Sequence, residues 1–233
     1  MADKVCVVVG VGPGNGVAFA RRFADDGYKV ALVARSADKL AAYADDIEGA
    51  KPFACDVSDP AAVQTAFAAI KDTLGPVDVL LYNAGSGSFS PMEETTPEML
   101  EQAWRINTLG LLAASRQVIP DMLARGGGAI VVTGATASLR GGAKTTAFAS
   151  AKAAQRSLAQ SMAKTLGPKG IHVSLMIVDG VIDLERTRAM MPDAPDDFFL
   201  KPDDIAASVH WVAHQPRSAW TFEYDLRPFG ETW

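Results

Sequence analysis

"VCVVVGVGPGNG" (Val5–Gly16) joins a continuous apolar run to a glycine-rich turn. A run without polar interruptions is typical of a strand that is covered on both faces of a sheet. Gly10, Gly14 and Gly16 fit the spacing G-x-x-x-G-x-G, whereas G-x-G-x-x-G fails because Asn15 stands at its last position. Glycines let the backbone turn tightly and approach a pyrophosphate, and the N-terminus of a following helix attracts phosphate charge. The stretch therefore predicts a dinucleotide-binding turn, with an ordinary glycine-rich turn as the alternative.

From this strand onward, apolar runs alternate with helical patterns along the chain. The order predicts an α/β fold: a single-domain, Rossmann-like, doubly wound and mostly parallel sheet of seven strands with helices on both faces. We expect this one domain to span residues 1–233. Ser36 is expected to cap a helix that runs to about Glu48. "AWTFEYDL" (Ala219–Leu226) alternates with a period of two, which predicts a seventh strand with one buried face.

Ligands bind beyond the carboxyl ends of the strands in such sheets, so the residues that follow each strand are the candidates for binding. They are Arg35 and Ser36 after the second strand, Asp56 and Val57 after the third, and Asn83, Ala84 and Gly85 after the fourth.

The residues after the second strand bear on the choice of cofactor. Folds that prefer NAD usually place an acid there, whereas the guanidinium of Arg35 suits a 2′-phosphate. The sequence therefore favours NADP(H) over NAD(H), with a solvated surface arginine as the alternative. Asp56 is suited to accept a hydrogen bond from an adenine amino group.

These motifs together resemble the short-chain dehydrogenase/reductase family over nearly the whole chain. The counterparts follow the family's order: the glycine turn, Asp56-Val57, Asn83-Ala84-Gly85, Asn107 on a long helix, and "FASAK", Phe148 to Lys152. The resemblance implies a nicotinamide cofactor and a homodimer or homotetramer. It also implies that Lys152 binds the nicotinamide ribose and that Asn107 orders a proton-relay water. Val181, beyond the sixth strand, is a further candidate for cofactor binding.

The reaction side departs from the family at two positions. Phe148 stands where the family has a proton-donating tyrosine, and Ala135 falls at the position of the family's serine. The register near Ala135 leaves Thr133, Thr136 and Ser138 open as the counterpart of that serine. Without the two hydroxyls, the proton is expected from Lys152, from water, or from Thr145 or Thr146. The chain resembles a subgroup that has Phe for Tyr and keeps the Lys, although the alternative is that Phe148 only packs an apolar helix face.

Two functions follow from this pattern. The first is an oxidoreductase with an atypical active site that acts on a small, apolar carbonyl- or alkene-type substrate. The second is an NADP-binding protein with little or no turnover, as a sensor or an inactive partner subunit. "AMM" (Ala189–Met191) and "FFL" (Phe198–Leu200) are expected to form an apolar wall on the substrate side, with core packing as the alternative.

Composition argues against several other classes of protein. The net charge of −5 offers no basic patch for nucleic acid, and no apolar run is long enough to cross a membrane, so the expected location is the cytoplasm. Cys6 and Cys55 are interpreted as buried, reduced thiols. His210 and His214 lie on one helix without a recognisable acidic partner, so no metal site is expected.

Overall fold

The computed structural model describes residues 4–87 and 89–230. Its main sheet has seven strands in the order β3-β2-β1-β4-β5-β6-β9, and every pairing is parallel. These strands are β1 (Val5–Val9), β2 (Lys29–Ala34), β3 (Ala50–Ala54), β4 (Val79–Tyr82), β5 (Gly128–Ala135), β6 (Ile171–Val178) and β9 (Glu223–Leu226). A two-stranded sheet joins β7 (Val181–Ile182) to β8 (Phe199–Leu200). The doubly wound, Rossmann-like α/β sheet predicted from the sequence is confirmed.

Helices connect the strands and cover both faces of the sheet. They are α1 (Asn15–Asp25), α2 (Ala37–Asp45), α3 (Pro60–Leu74), α4 (Pro97–Trp104), α5 (Gly110–Ala124), α6 (Thr146–Leu166), α7 (Glu185–Met190) and α8 (Pro202–Ala213). Alternate residues of β1 point into two separate apolar clusters, one on each face: Val5, Val7 and Val9 into the first, Cys6 and Val8 into the second. Burial on both faces explains why this strand has no polar position.

Local signals set several of the helix ends. Asp59 caps α3 by accepting from the amide of Ala61 at 2.9 Å, and Thr96 caps α4 by accepting from the amide of Met99 at 3.3 Å. Each cap is followed by a proline in the first turn, where the missing N–H costs nothing. Ser36 precedes α2 but its side chain makes no capping hydrogen bond.

Two boundaries were predicted wrongly. Helix α2 ends at Asp45 rather than near Glu48, and Ile47 is buried in the turn that leads to β3. The seventh strand is only Glu223–Leu226. Phe222 packs on the opposite side of the sheet from Tyr224 and Leu226, so the alternating segment does not have a single buried face.

The segment before β9 is held by other contacts. The Trp220 ring stacks on His172 with centroids 4.8 Å apart, and its Nε1 donates to the carbonyl of Gln215 at 3.1 Å. An indole with a satisfied N–H and a stacked neighbour fixes this turn without strand pairing. Cys6 and Cys55 are both buried free thiols. Within the described residues, no helix is both long and apolar enough to cross a membrane.

Candidate active site

The glycine turn after β1 requires glycine for steric reasons. Gly10 has φ of +91°, and a Cβ there would lie 2.4 Å from the amide nitrogen of Ala84. A Cβ on Gly16 would lie 2.6 Å from the Cα of Val11. Asn83 ties the two chain segments together, because its Nδ2 donates to the carbonyl of Gly10 at 2.8 Å. The end of β4 and the glycine turn thus form one tightly packed unit at the carboxyl edge of the sheet.

The start of α1 has the features of an anion site. Within the part of the chain that the structure describes, no side chain caps α1 at Gly14, so the amides of Asn15 and Gly16 are available to a ligand. Asn15 is buried, and its Oδ1 has no hydrogen-bond partner among residues 4–87 and 89–230. The orphaned oxygen of Asn15 needs a hydrogen-bond donor, and the uncapped helix end suits an anion, so the pair fits the ribose hydroxyls and the phosphates of a dinucleotide. Leu184 covers this turn, since a Cβ on Gly14 would lie 2.5 Å from its Cδ2.

The candidates after β2 and β3 lie at the same edge of the sheet. Arg35 and Ser36 are exposed, whereas Val57 is buried. Asp56 Oδ1 accepts from the amide and the hydroxyl of Ser58, at 2.9 and 2.7 Å. These bonds lower the pKa of Asp56, and the positive charge of Arg35 lowers it further. Arg35 and Asp56 are therefore close enough for their charges to interact at this edge of the sheet.

Lys152 is buried in the middle of the reaction side. Its Nζ donates to the carbonyl of Thr133 at 2.7 Å and to Oε1 of Gln155 at 3.0 Å. Gln155 in turn donates from Nε2 to the carbonyl of Asn107 at 2.8 Å. Burial lowers the pKa of Lys152 to about 7, because the charged form loses its hydration without gaining an ionic partner.

Asn107 lies in a π-helical turn between α4 and α5, Arg105–Leu109. Such turns are frequent at functional sites because they expose backbone groups and redirect side chains. The hydroxyl of the buried Tyr82 donates to the carbonyl of Ile106 at 2.5 Å and so secures the turn. Asn107 donates from Nδ2 to the carbonyl of Ala103 at 2.8 Å, and its buried Oδ1 has no hydrogen-bond partner among the residues that the structure describes.

Gly85 brings the ends of this network together. A Cβ on Gly85 would lie 3.3 Å from Oδ1 of Asn107 and 3.7 Å from Nζ of Lys152. The glycine therefore leaves open the space in front of both polar atoms. Gly85, Asn107 and Lys152 are far apart in the sequence, but they lie side by side in the structure.

Phe148 faces the same region from α6. Its ring is half-buried, 6.0 Å from Nζ of Lys152 and 5.5 Å from the ring of Phe89, which is 67% exposed. Residues four apart on a helix share a face, so Phe148 sits one turn above Lys152 as the spacing predicts. The group beside the lysine is thus an aromatic ring with no exchangeable proton.

Comparisons with known proteins identify the architecture. A family model described as short chain dehydrogenase matches residues 4–193. The chain belongs to the short-chain dehydrogenase family. It is 28% identical to carbonyl reductase family member 4 of Xenopus laevis over 219 residues, 92% of each chain.

Solved structures agree with this family assignment. A short-chain dehydrogenase from Rhodopseudomonas palustris has a TM-score of 0.83 and 33% identity, covering 98% of this chain and 100% of its own. An alcohol dehydrogenase from Thermococcus sibiricus, solved in complex with 5-hydroxy-NADP, has a TM-score of 0.86 and 28% identity, covering 98% of each chain.

The hydroxyls near the family's serine position are mostly engaged. Ala135 is the last residue of β5, and its amide donates to the hydroxyl of the buried Ser138 at 3.1 Å. The hydroxyl of Thr136 donates to Asp179, which also pairs with Arg227 at 2.7 Å. The hydrogen bonds from Thr136 and Arg227 lower the pKa of Asp179. Thr145, a candidate proton donor, donates to the carbonyl of Gly142 at 3.1 Å.

Sequence reasoning missed Gln155, Asp179 and Arg227. Gln155 stands three residues after Lys152, so helical spacing was a usable signal for its contact with the lysine. Asp179 and Arg227 follow β6 and β9, which are neighbouring strands, and nothing in their local sequence pairs them.

The expected apolar wall is only partly present. Met190 is 77% exposed, but Phe199 and Leu200 form β8 and are buried, so core packing, the stated alternative, holds for these two residues of "FFL". Both residues pair with the short strand β7, which turns their side chains inward. Val181, the candidate for cofactor binding, pairs with Phe199 and is half-buried.

A group of ion pairs fastens the segment that contains α7. Asp183 binds Arg188 and Lys201, each at 2.7 Å, and both cations also contact Asp196. The cation of Arg188 lies 4.0 Å from the ring centroid of Phe199. Leu184, which lies against the glycine turn, is therefore held between two ion-paired residues, Asp183 and Arg188.

Proposed function

We propose that this protein is an NADP-dependent oxidoreductase in which Lys152, rather than a hydroxyl at position 148, delivers the proton. The observation that carries the proposal is the buried Lys152, which lies one helical turn from Phe148 and beside the unpartnered Oδ1 of Asn107. This arrangement supports membership of the subgroup with Phe for Tyr and Lys retained. The location in the cytoplasm, the single domain over residues 1–233 and assembly as a homodimer or homotetramer belong to the same proposal.

The residues of the glycine turn, Asn15 and Arg35 would hold the cofactor. The bound nicotinamide would supply or accept a hydride. Arg35 and Ser36 would contact the 2′-phosphate, because no acid stands in their place to accept from a free ribose hydroxyl. The Thermococcus relative was solved with an NADP derivative, which supports this choice of nucleotide.

Lys152 is suited to acid catalysis near neutral pH. A general acid works best when its pKa is close to the working pH, and burial brings the pKa of Lys152 to about 7. A reduced carbonyl oxygen needs one proton, which the ammonium can donate directly or through water. Asn107 supports the second route, because its Oδ1 can accept a hydrogen bond from such a water. Gln155 holds the ammonium in place, because its Oε1 accepts a hydrogen bond from Nζ of Lys152.

The surroundings favour an apolar substrate. Phe148 and Phe89 present two neighbouring rings in front of Lys152, and Phe89 is largely exposed to whatever enters. Aromatic faces bind flat, apolar groups and leave the polar end of a substrate toward the lysine. A small carbonyl compound or an activated alkene has this character, and the Xenopus relative bears the name of a carbonyl reductase.

A comparison of three proteins tests this function. The native chain, Phe148→Tyr and Phe148→Tyr/Ala135→Ser are assayed with NADPH against a panel of apolar ketones, aldehydes and activated alkenes. We expect measurable turnover by the native chain, with a kcat that falls as Lys152 loses its proton above about pH 7. A rate in the native chain that does not change between pH 6 and 9 would contradict proton delivery by Lys152.

The absence of hydroxyls at positions 148 and 135 favours a second candidate function, that of an NADP-binding protein without turnover. A positioned acid contributes about 10²–10⁴ in rate, so its absence can leave binding intact while catalysis is lost. If NADPH binds the native chain but turnover appears only in the double variant, this second function is correct. If NADPH does not bind, both functions are excluded.

A further inference from the structure

A cluster of three potential metal ligands lies where α1 ends beside α8. The sequence around His210 and His214 contains no recognisable acidic partner, but Asp26, which directly follows α1 and is distant in sequence, lies beside both histidines. Its Oδ2 lies 3.0 Å from Nε2 of His210 and 3.7 Å from Nε2 of His214. One ligand atom from each residue falls within 4.8 Å of the others.

Hydrogen bonding fixes the protonation of His214. Its Nδ1 lies 2.7 Å from the backbone carbonyl of His210, and a carbonyl only accepts, so Nδ1 carries the proton. Nε2 therefore presents its lone pair toward the cluster. Metal-binding histidines commonly donate their other ring nitrogen to a carbonyl in this manner. The ring of Phe23 packs against both imidazoles, with centroid distances of 5.0 and 6.0 Å, and holds their orientation.

We propose that Asp26, His210 and His214 bind one divalent first-row transition-metal ion of the zinc type. Zinc bonds of about 2.0–2.1 Å in a tetrahedron separate the ligand atoms by roughly 3.3 Å, and the two distances from Asp26 lie on either side of this value. Two imidazoles and a carboxylate are a donor set that such ions prefer over Ca²⁺ or Mg²⁺.

Access to the cluster is open from solvent. A groove of about 710 Å³ is lined by both histidines together with Arg22, Trp211 and Gln215. An ion can enter through this groove, and the coordination position that the three side chains leave vacant can be filled by water.

Two neighbours compete with the ion in the metal-free protein. Arg22 donates to Nδ1 of His210 at 3.2 Å, so the proton of this ring sits on Nε2 and is donated to Asp26. Tyr28 donates its hydroxyl proton to Nε2 of His214 at 2.8 Å. Binding requires the His210 proton to move to Nδ1 and the hydroxyl of Tyr28 to turn away. Arg22 must also leave, since its N–H would then face another N–H.

The position of the cluster indicates a structural ion. It lies at the C-terminal end of α1, and the 11 residues of that helix place it about 16 Å from the glycine turn at the other end. An ion there would join α1 to α8 without touching the reaction side. Its effect should therefore appear in stability and not in turnover.

Titration of the chelator-treated full-length protein tests the proposal. Zn²⁺ binding is measured by calorimetry, and Co²⁺ binding by its visible absorption, which reports coordination geometry. We expect one equivalent with micromolar or tighter affinity and a rise in Tm with Zn²⁺. Asp26→Asn and His214→Ala should each weaken binding at least tenfold, whereas Arg22→Met should strengthen it because a competing donor is gone.

Matched variants control for other sites. Asp25→Asn changes the neighbouring exposed acid, and Cys55→Ala removes a thiol that could bind zinc on its own; both should bind like the native chain. Asp26→Asn keeps the shape of the side chain, so it reports on ligation even if His214→Ala were to unfold. No saturable binding, or binding unchanged by both Asp26→Asn and His214→Ala, would show that the cluster is a hydrogen-bond network only.

Discussion

On the phosphate side of the cleft the backbone itself defines the site, whereas on the reaction side the chemistry depends on a few side chains. Gly10 and Gly16 lie so close to Ala84 and Val11 that no other residue fits without a shift of the backbone. On the reaction side, Lys152 is fully supported by hydrogen bonds, yet the neighbouring ring of Phe148 offers no proton. From this comparison we expect the binding of a dinucleotide and the supply of a proton to be separable properties of this protein.

The largest effect is expected from Gly10→Ala. The new Cβ would meet the backbone of Ala84 at 2.4 Å in a left-handed conformation, so we expect a loss of about 2–4 kcal/mol in the free energy of unfolding and no detectable NADPH binding. Gly167→Ala, at the end of α6 and outside the glycine turn, is the matched control, because its Cβ would meet no atom of the described residues within 4 Å. Urea unfolding and NADPH fluorescence measure both properties. Equal behaviour of the two variants would contradict a site defined by its backbone.

Removal of the amine of Lys152 should be the next largest effect. Lys152→Met is expected to lower kcat by about 10²–10⁴, because the proposed general acid is lost. Lys164→Met changes an exposed lysine on the same helix and should leave kcat unchanged. Steady-state kinetics with the best substrate of the panel measure the difference. If the kcat of Lys152→Met were within threefold of the native value, another group would have to donate the proton.

The same lysine predicts a pH dependence of stability. The folded chain releases the Lys152 proton near pH 7, whereas the unfolded chain keeps it up to about pH 10.5. The unfolded state therefore binds more protons between these values, and native stability rises with pH. Relative to Lys152→Met, the free energy of unfolding should increase by about 1 kcal/mol from pH 7 to pH 8, measured without cofactor. An unchanged difference over this range would show that the buried amine stays charged, because both states would then bind the same number of protons.

Arg35→Ala tests the nucleotide preference on the phosphate side. Loss of a charge-assisted contact to a 2′-phosphate costs about 1.5–3 kcal/mol, so the Kd for NADPH should rise about tenfold to a hundredfold while the Kd for NADH stays constant. Arg21→Ala, an exposed arginine on α1, serves as the control. If the Kd values for NADPH and NADH changed equally, Arg35 would attract both nucleotides by its charge rather than contact the 2′-phosphate.

The smallest effect is expected for the stability of Phe148→Tyr. The ring is half-buried and its neighbour Phe89 is exposed, so we expect a change below about 0.5 kcal/mol in the free energy of unfolding. Urea unfolding of the variant beside the native chain measures it. A loss of 2 kcal/mol or more would instead support the interpretation that Phe148 serves apolar packing.

The fold was predictable because its signals are local. The apolar run of β1, the glycine spacing and the cap-plus-proline starts at Asp59 and Thr96 depend on neighbouring residues only, and each appears in the structure. The spacing of Phe148 and Lys152 likewise follows from helix geometry. Helix α2 and the start of β9 were misjudged because burial of Ile47 and the stacking of Trp220 on His172 are tertiary effects.

The rest of the site depends on contacts between distant parts of the chain. Asp26 and His210 are separated by 184 positions and meet only because α1 and α8 pack side by side. Asp179 and Arg227 pair because they follow β6 and β9, which are neighbouring strands in the sheet. The local sequence does not indicate that these two strands are neighbours. Phe199 and Leu200 looked like a substrate wall because apolar residues in a long loop carry no sign of which way they face.

Fluorescence titration of the native chain with NADPH and NADH tests the central claim most directly. We predict saturable binding of one NADPH per chain, with weaker binding of NADH, even though position 148 carries a phenyl ring. Absence of saturable NADPH binding, or tighter binding of NADH, would contradict it.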